Sequence, residues 1–412
     1  MIKIKSYFKV KELIEKERLV VIIGPRRVGK TTTIKQLVEE NSSENAYVLA
    51  DQLPKRDFKT ADELVDYLIF NGMLKTGQSR IFIDEAHYLL NLGIILKNFF
   101  DENKYRVVVT GSGSFNIYNN LGNELVGRKT TFYMYPFDFE DCLLAKGKNV
   151  DGVDINTIDY DFVHDDLNDY LEWGGYPEVV MAKTREEKIN AQAKIFQTYL
   201  DEDVKLLLNH QEFFGFESVL LYLAKNVGSI LVWENMRKNL GLSLSSLKKI
   251  KEVLDHSFIT YHVLPFPLNR ADEIKKHQKT YFVDNGLLNY VLRKKMVSGV
   301  GKLDENFVLS QLLKTKKGTI DLFFWQRRGG FEIDFILYDF LNKKLIPVEV
   351  KSKDTDNIPR IFNTFESVYG EMVNYYVVMN KSIRKKRKFG KKMVNFLPLY
   401  SGVSQGPTPG VE

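Results

Sequence analysis

The chain has 412 residues, with 59 Lys and Arg against 53 Asp and Glu, a formal net charge of +6 and 44% hydrophobic residues. That length exceeds one ordinary core, so about two to four domains are expected, and so mild a positive charge leans toward anionic partners without itself pointing to nucleic acid. A lone Cys142 excludes an internal disulfide framework, no His/Cys cluster has zinc spacing, and no apolar run approaches a membrane span, so a cytoplasmic protein with no membrane partner is expected.

The N-terminal segment is basic, but its apolar run is short and feeds directly into the next motif, so it does not read as a signal peptide. Leu19 to Ile23 predicts a buried strand, and the loop after it reads Gly24, Pro25, Arg26, Arg27, Val28, Gly29, Lys30, Thr31, Thr32. This is the GxxxxGK[ST] spacing of a phosphate-binding loop. Glycine lets backbone N–H groups close on phosphate oxygens, and a helix starting near Lys30 aims its N-terminus at the anion. Lys30 would reach the β- and γ-phosphates of ATP or ADP, and the Thr31 hydroxyl would hold Mg²⁺. Ala46 to Ala50 predicts a second strand and Phe58 to Phe70 a helix. Ile81 to Ile83 then runs into Asp84, Glu85, Ala86 and His87, a Walker B sequence. Asp84 at the strand tip is suited to the Mg²⁺ shell, and Glu85 to orienting and deprotonating the attacking water. After a helix from Leu92 to Glu102, the strand from Tyr105 to Val109 ends at Thr110, Gly111 and Ser112. Thr110 and Ser112 either sense the γ-phosphate or cap the next helix. Strands alternating with helices predict a parallel sheet with its ligand at the strands' carboxyl ends.

The stretches GPRRVGKTT, IFIDEAH, VVVTGSGS and NELVGRKTTFYMYPFDFEDCL resemble the prokaryotic AAA+ ATPases of the STAND-related branch, in which a P-loop ATPase domain precedes a winged helix. The resemblance implies an α/β fold of the P-loop NTPase class with an AAA+/ASCE-type parallel sheet, followed by a helical lid. It also implies that Arg128 stabilises transition-state charge, from its own subunit or from a neighbour in a homo-oligomer.

Asp138 to Glu172 is rich in carboxylates and reads as a boundary and solvated surface; it lacks the ordered spacing of a calcium loop. In YLEWGGYPEVV, Gly174 and Gly175 stop one helix and Pro177 opens the next. The resemblance further implies that Gly175 and Pro177 touch the nucleotide. Residues 184 to 210 are helical by pattern. Helices from Ser218 to Asn226, Trp233 to Leu240 and Leu244 to His256, then a strand from Phe258 to Leu264, predict a winged helix. Its third helix would present Ser245, Ser246, Lys248, Lys249 and Lys251 to double-stranded DNA, or the unit would serve as a hinge or protein-docking module.

In the last part, GKLDENFVLSQLLK, TIDLFFWQRRGGFEIDFIL and LIPVEVKS resemble, in that order, the C-terminal domain of the same family, an α/β fold similar to PD-(D/E)xK restriction endonucleases. The set is Glu305, Asp334, Glu349 and Lys351. Glu349 and Lys351 share a strand face, and such carboxylates would hold a second Mg²⁺ or Mn²⁺. The same residues would also suit a partly buried ion-pair network. The run KSIRKKRKFGKK, from Lys381 to Lys392, is a solvated surface or a track for a nucleic-acid backbone, with Tyr375, Tyr376 and Phe389 near it for stacking or for the core. The expected division is an ATPase domain over 1–145, a lid over 146–210, a winged helix over 211–270, a nuclease-like domain over 271–400 and a disordered tail over 401–412. The expected function is Mg²⁺-dependent ATP hydrolysis coupled to action on DNA. The alternatives are an ATP/ADP switch that regulates a protein partner and an ATP-regulated metal-dependent nuclease.

Overall fold

Leu19–Gly24 (β1) is buried at every position, as a strand covered on both faces must be. Its alternate residues serve two cores: Val20 and Ile22 join one apolar cluster, and Leu19, Val21 and Ile23 join the other. The computed structural model describes residues 3–54, 56–112, 125, 127–148, 150, 152–266, 277–294, 302–316, 318–327 and 330–403. A helix over Lys5–Lys16 (α1) precedes β1, and Lys30–Glu40 (α2) follows it. Then come Asn45–Leu49 (β2), Ala61–Phe70 (α3), Arg80–Asp84 (β3), Leu92–Glu102 (α4), Arg106–Ser112 (β4) and Thr130–Tyr133 (β5). The strand order is β2-β3-β4-β1-β5 and every pairing is parallel. With β4 inserted between β1 and β3, the carboxyl ends of all three lie side by side, and the motifs they carry meet at one edge.

The chain then becomes helical: Phe139–Ala145 (α5), Tyr160–Trp173 (α6), Pro177–Val180 (α7) and Arg185–Tyr199 (α8), followed by a π-helical turn at Leu200–Val204 and a short stretch at Lys205–Leu207. His210–Lys225 (α9), Trp233–Leu240 (α10) and Leu244–His256 (α11) follow. The starts of α8 and α9 are written in the sequence as capping boxes, Thr184 with Glu187 and Asn209 with Glu212. Thr260–Pro265 (β6) pairs antiparallel with Lys279–Phe282 (β7), which leads into Asn285–Lys294 (α12). Last come Leu303–Thr315 (α13), Ile320–Arg327 (β8), Phe331–Asp339 (β9), Lys344–Val350 (β10), Ile361–Tyr369 (α14), Tyr376–Asn380 (β11), Lys385–Phe389 (β12) and Lys392–Pro398 (β13).

The three helices α9 to α11 lead into the β6–β7 pair where a winged helix was expected, but the pair does not stand alone. β6 also runs parallel to β8, through Leu264 with Phe323 and Pro265 with Phe324, so one eight-stranded sheet has the order β12-β13-β11-β10-β9-β8-β6-β7. The second strand of the pair therefore lies beyond residue 270, where a domain boundary was expected. Residues after that boundary also return to the lid. Asn289 donates to the carbonyls of Leu171 and Glu172 at 2.9 Å each, and the Arg293 guanidinium stands 4.3 Å from the centroid of the Trp173 ring. The acidic stretch is only partly a solvated surface. Asp138 and Asp141 are buried at the start of α5, where Lys5 donates through its ammonium to Asp138 and through its backbone N–H to Asp141, both at 2.9 Å. Ser401 and Val403, expected in a disordered tail, are buried, while 404–412 lie outside the described residues. Among the described residues no helix is long and apolar enough to cross a membrane.

Candidate functional site

The loop after β1 turns where only glycine fits comfortably. Gly29 has φ +99°, and a Cβ on Gly24 would stand 1.9 Å from the carbonyl oxygen of Met134. Lys30, at the start of α2, is buried, and its ammonium donates to the carbonyls of Gly24 (2.9 Å) and Pro25 (2.7 Å), which holds the loop wrapped around its own first residues. Thr31, Thr32, Gly29 and Lys30 line a cavity of about 440 Å³ together with Arg26, Arg27 and Glu85. The rest of the lining comes from the helical segment: Pro177 and Glu178 from α7, Thr198 from α8 and Glu202 from the π-helical turn. Two arginines of the loop reach across. Arg26 pairs with Glu202 at 2.5 Å, and Arg27 bonds Glu178 and Thr198 at 3.0 Å each.

At the end of β3, Asp84 is completely buried. Its carboxylate accepts from the Tyr47 hydroxyl at 2.9 Å and from the Thr110 hydroxyl, so neighbouring strands on both sides fix its orientation. Glu85 adopts a left-handed backbone (φ +51°), its N–H donates to Asp84 and Thr110 at 3.2 Å, and its side chain lines the cavity. His87 lies 3.3 Å from the Glu85 carboxylate. Burial pulls the His87 pKa below its ordinary value and the positive charges of Arg26 and Lys30 add to that, against the opposing pull of Glu85. The donors suit an oxygen-bound ion: Thr31 lines the cavity, as does Glu85, the residue that follows Asp84.

The structure thus gathers Gly29, Lys30, Thr31, Thr32, Arg26, Arg27, Glu85 and Pro177 at one cavity, with Asp84 buried behind it. Other residues named from the sequence lie elsewhere. Thr110 is fully buried and its hydroxyl is spent on Asp84; the Ser112 side chain is outside what is described. Gly175 is packed between α6 and α7, its N–H donating to Asp284 (2.8 Å) and its carbonyl accepting from the Phe137 N–H (2.9 Å), and a Cβ there would stand 2.2 Å from the Phe137 oxygen. Arg128 pairs with Asp101 at 3.2 Å, near the end of α4, and is absent from the cavity lining. Tyr47, Glu178, Thr198 and Glu202 escaped the sequence reading. Glu178, next to Pro177, carried the one usable signal.

The C-terminal set does assemble, but as an ion-pair network. Glu305 on α13 accepts from the Tyr281 hydroxyl at 2.6 Å and pairs with Lys302 at 3.3 Å and Lys279 at 3.5 Å. Lys279 is completely buried and also pairs with Glu332. Burial works against its charge, yet Glu305, Glu332 and Asp334 outweigh that and raise its pKa. Asp334 accepts from the Val350 N–H at 2.8 Å, and Lys351 donates to Glu349 at 2.7 Å. Burial, together with the charges of Glu305 and Glu349, pushes the Asp334 pKa well above the usual carboxylate range. Among the described residues no three acidic, His or Cys side chains converge as metal ligands. Where the second Mg²⁺ or Mn²⁺ was expected, the Lys279 ammonium stands between Glu305 and Glu332.

On α11, Ser245 and Lys248 are exposed, whereas Lys249 lies 3.8 Å from Glu252 and Lys251 pairs with Asp255 at 2.6 Å. Asp255 in turn holds His262 at 2.6 Å, which meets the Thr280 hydroxyl at 2.9 Å, so this end of the helix is tied to both β6 and β7. The basic run forms β12, an exposed strand at the sheet edge, with Lys385 on Asp356 at 2.7 Å; Tyr375 and Tyr376 are core residues.

Residues 16–143 match the family described as an AAA domain. Residues 164–298 and 300–401 match two families described as domains of unknown function, DUF8612 and DUF4143. An uncharacterized protein of Haemophilus influenzae is 24% identical over 363 residues, which is 84% of this chain and 87% of that protein. The uncharacterized protein MJ1544 of Methanocaldococcus jannaschii is 24% identical over 356 residues, 82% of this chain and 76% of its own. Among solved structures, the Walker-type ATPase PABY2304 of Pyrococcus abyssi is similar with a TM-score of 0.46 and 14% identity, over 71% of this chain and 96% of that one. The RuvB Holliday junction branch migration motor of Thermotoga maritima reaches a TM-score of 0.31 at 13% identity, over 72% and 96%. The matched family and the two Walker motifs together make residues 16–143 an AAA-type P-loop ATPase domain.

Proposed function

We propose that the chain hydrolyses ATP to ADP and phosphate with Mg²⁺, and that the lid follows the nucleotide. The carrying observation is a single cavity bordered by Lys30, Thr31 and Glu85 on one side and by lid residues Glu178, Thr198 and Glu202 on the other. The loop N–H groups and Lys30 bind the phosphates, the N-terminus of α2 faces the same anion, and Glu85 takes the proton of the attacking water. Thr31 and Asp84 would hold Mg²⁺, which would supply charge neutralisation for the bound nucleotide. Asp84 can serve because Tyr47 and Thr110 already hold its carboxylate still. A Lys30→Ala variant is expected to lose ATP binding in equilibrium dialysis; binding at the wild-type level would refute the site.

What the nucleotide state drives is a second layer of the proposal. The three-helix and strand-pair unit serves as a winged helix, and Ser245, Lys248 and the basic β12 edge support contact with double-stranded DNA through phosphates. The internal pairing of Lys249 and Lys251 favours the other reading, an ATP/ADP switch that presents this unit to a protein partner. Salt-sensitive stimulation of ATP turnover by duplex DNA decides for the first, and turnover indifferent to DNA decides for the second. The C-terminal unit acts as a scaffold in both, with the Lys279 ammonium already paired to Glu305 and Glu332.

A further inference from the structure

Arg26 sits two residues after Gly24 in the phosphate-binding loop, and only 11% of its side chain is exposed. It shares the cavity with Lys30, Thr31 and Glu85, whereas Arg128, with 37% of its side chain exposed, is held on Asp101 outside it. The partner of Arg26 is an anionic oxygen of Glu202, carried by the π-helical turn that interrupts the run after α8. Single π turns inside helices gather at functional sites because they re-aim one side chain. Arg27 does something different, because its bonds to both Glu178 and Thr198 strap α7 and α8 to the loop.

We propose that Arg26 is a catalytic residue acting from its own chain, exchanging the Glu202 carboxylate for the γ-phosphate of ATP, with Glu202 as the positioning residue that sets the exchange. The inference rests on the ATPase reading. In the step it serves, the water oxygen bonds to the γ-phosphorus as the bond from that phosphorus to the bridging oxygen breaks. ADP leaves with the bond's electron pair, and Glu85 takes the water proton. Arg26 stabilises the charge on the transferring group, where a planar fork with several N–H donors matches phosphoryl oxygens as a lysine cannot.

The test measures kcat and KM for ATP, with ADP affinity from a fluorescent analogue, in wild type, Arg26→Ala, Arg26→Lys, Glu202→Gln and the Arg26→Ala/Glu202→Gln double variant. Arg26→Ala should lower kcat about 100-fold while ADP affinity changes less than about threefold, and Arg26→Lys should restore little of it. Glu202→Gln should lower KM for ATP several-fold in the otherwise wild-type chain and leave it unchanged in the Arg26→Ala background. Wild-type kcat in Arg26→Ala, loss of ADP binding in that variant, or a Glu202→Gln effect that persists without Arg26 each overturns the proposal. A wild-type chain that does not hydrolyse ATP sinks the ATPase reading and this inference with it, whereas turnover that survives Arg26→Ala sinks this inference alone.

Discussion

Replacing Lys279 with Met removes the charge that the C-terminal carboxylates are built around. Lys279 has no exposed surface, and its ammonium is shared between Glu305 at 3.5 Å and Glu332. Breaking a buried pair from one side leaves the other charge uncompensated and costs about 3–5 kcal/mol. Two features moderate the loss here: Lys302 stands 3.3 Å from Glu305 and 3.7 Å from Glu332, and Tyr281 keeps its hydrogen bond to Glu305. The expected destabilisation is therefore about 3 kcal/mol, the lower end of that range. Adding Glu305→Gln to Lys279→Met removes the stranded charge and should recover about 1–2 kcal/mol. Urea unfolding followed by tryptophan fluorescence reads both, since Trp325 is buried in the same sheet. A Lys279→Met chain within about 1 kcal/mol of wild type, or a stability gain on adding Mn²⁺ to the Lys30→Ala chain, would refute the claim that an ammonium stands where a divalent ion was expected.

Tyr47→Phe deletes one of the donors that hold the Asp84 carboxylate, a hydrogen bond to a charged group worth about 1.5–3 kcal/mol. The concentration of Mg²⁺ giving half-maximal ATP turnover should rise about tenfold or more, with ADP affinity in the absence of Mg²⁺ unchanged; an unaltered Mg²⁺ titration would count against the role given to Tyr47. Asp141 is buried beside Asp138, and burial followed by that neighbouring charge raises its pKa to about 7, against an ordinary value of 3.8. A carboxyl raised in the folded state contributes stability that is complete below its unfolded pKa and is lost as the pH rises through about 7. Asp141→Asn should therefore be more stable than wild type by about 2–4 kcal/mol at pH 8, with the difference shrinking toward pH 4. Thermal melts across that range giving a constant difference would contradict the assignment.

The phosphate-binding loop and the Walker B end were legible because each is a local pattern: a buried strand, then glycines or carboxylates at fixed spacing. Thr110, open between a γ-phosphate sensor and a helix cap in the sequence, places its hydroxyl on Asp84 for a geometric reason. A polar residue ending a strand can face the ligand or the neighbouring strand, and the insertion of β4 between β1 and β3 turned its hydroxyl onto Asp84. Tyr47 and Glu202 could not be found from their surroundings, since each reaches the site only through contacts distant in sequence. Gly175 is similar, since a side chain there would meet Phe137 and Tyr170, which only the fold brings against it. The C-terminal acidic set was recognisable by order and spacing. What spacing could not reveal was Lys279, which enters from a strand paired with β6 and converts a metal-like cluster into an ion-pair network. That strand also explains the blurred boundary near residue 270, because β6 and β7 complete a sheet begun elsewhere.

The central claim is that Glu85 drives ATP hydrolysis in the cavity it shares with Lys30 and Thr31. Phosphate release from ATP, measured in wild type and Glu85→Gln with ATP binding followed in the same samples, tests it most directly. Wild type should release phosphate, and Glu85→Gln should slow that release by about 100-fold or more while binding ATP within about threefold of wild type. Equal rates in the two proteins, or a wild type that binds ATP and releases no phosphate, would contradict it.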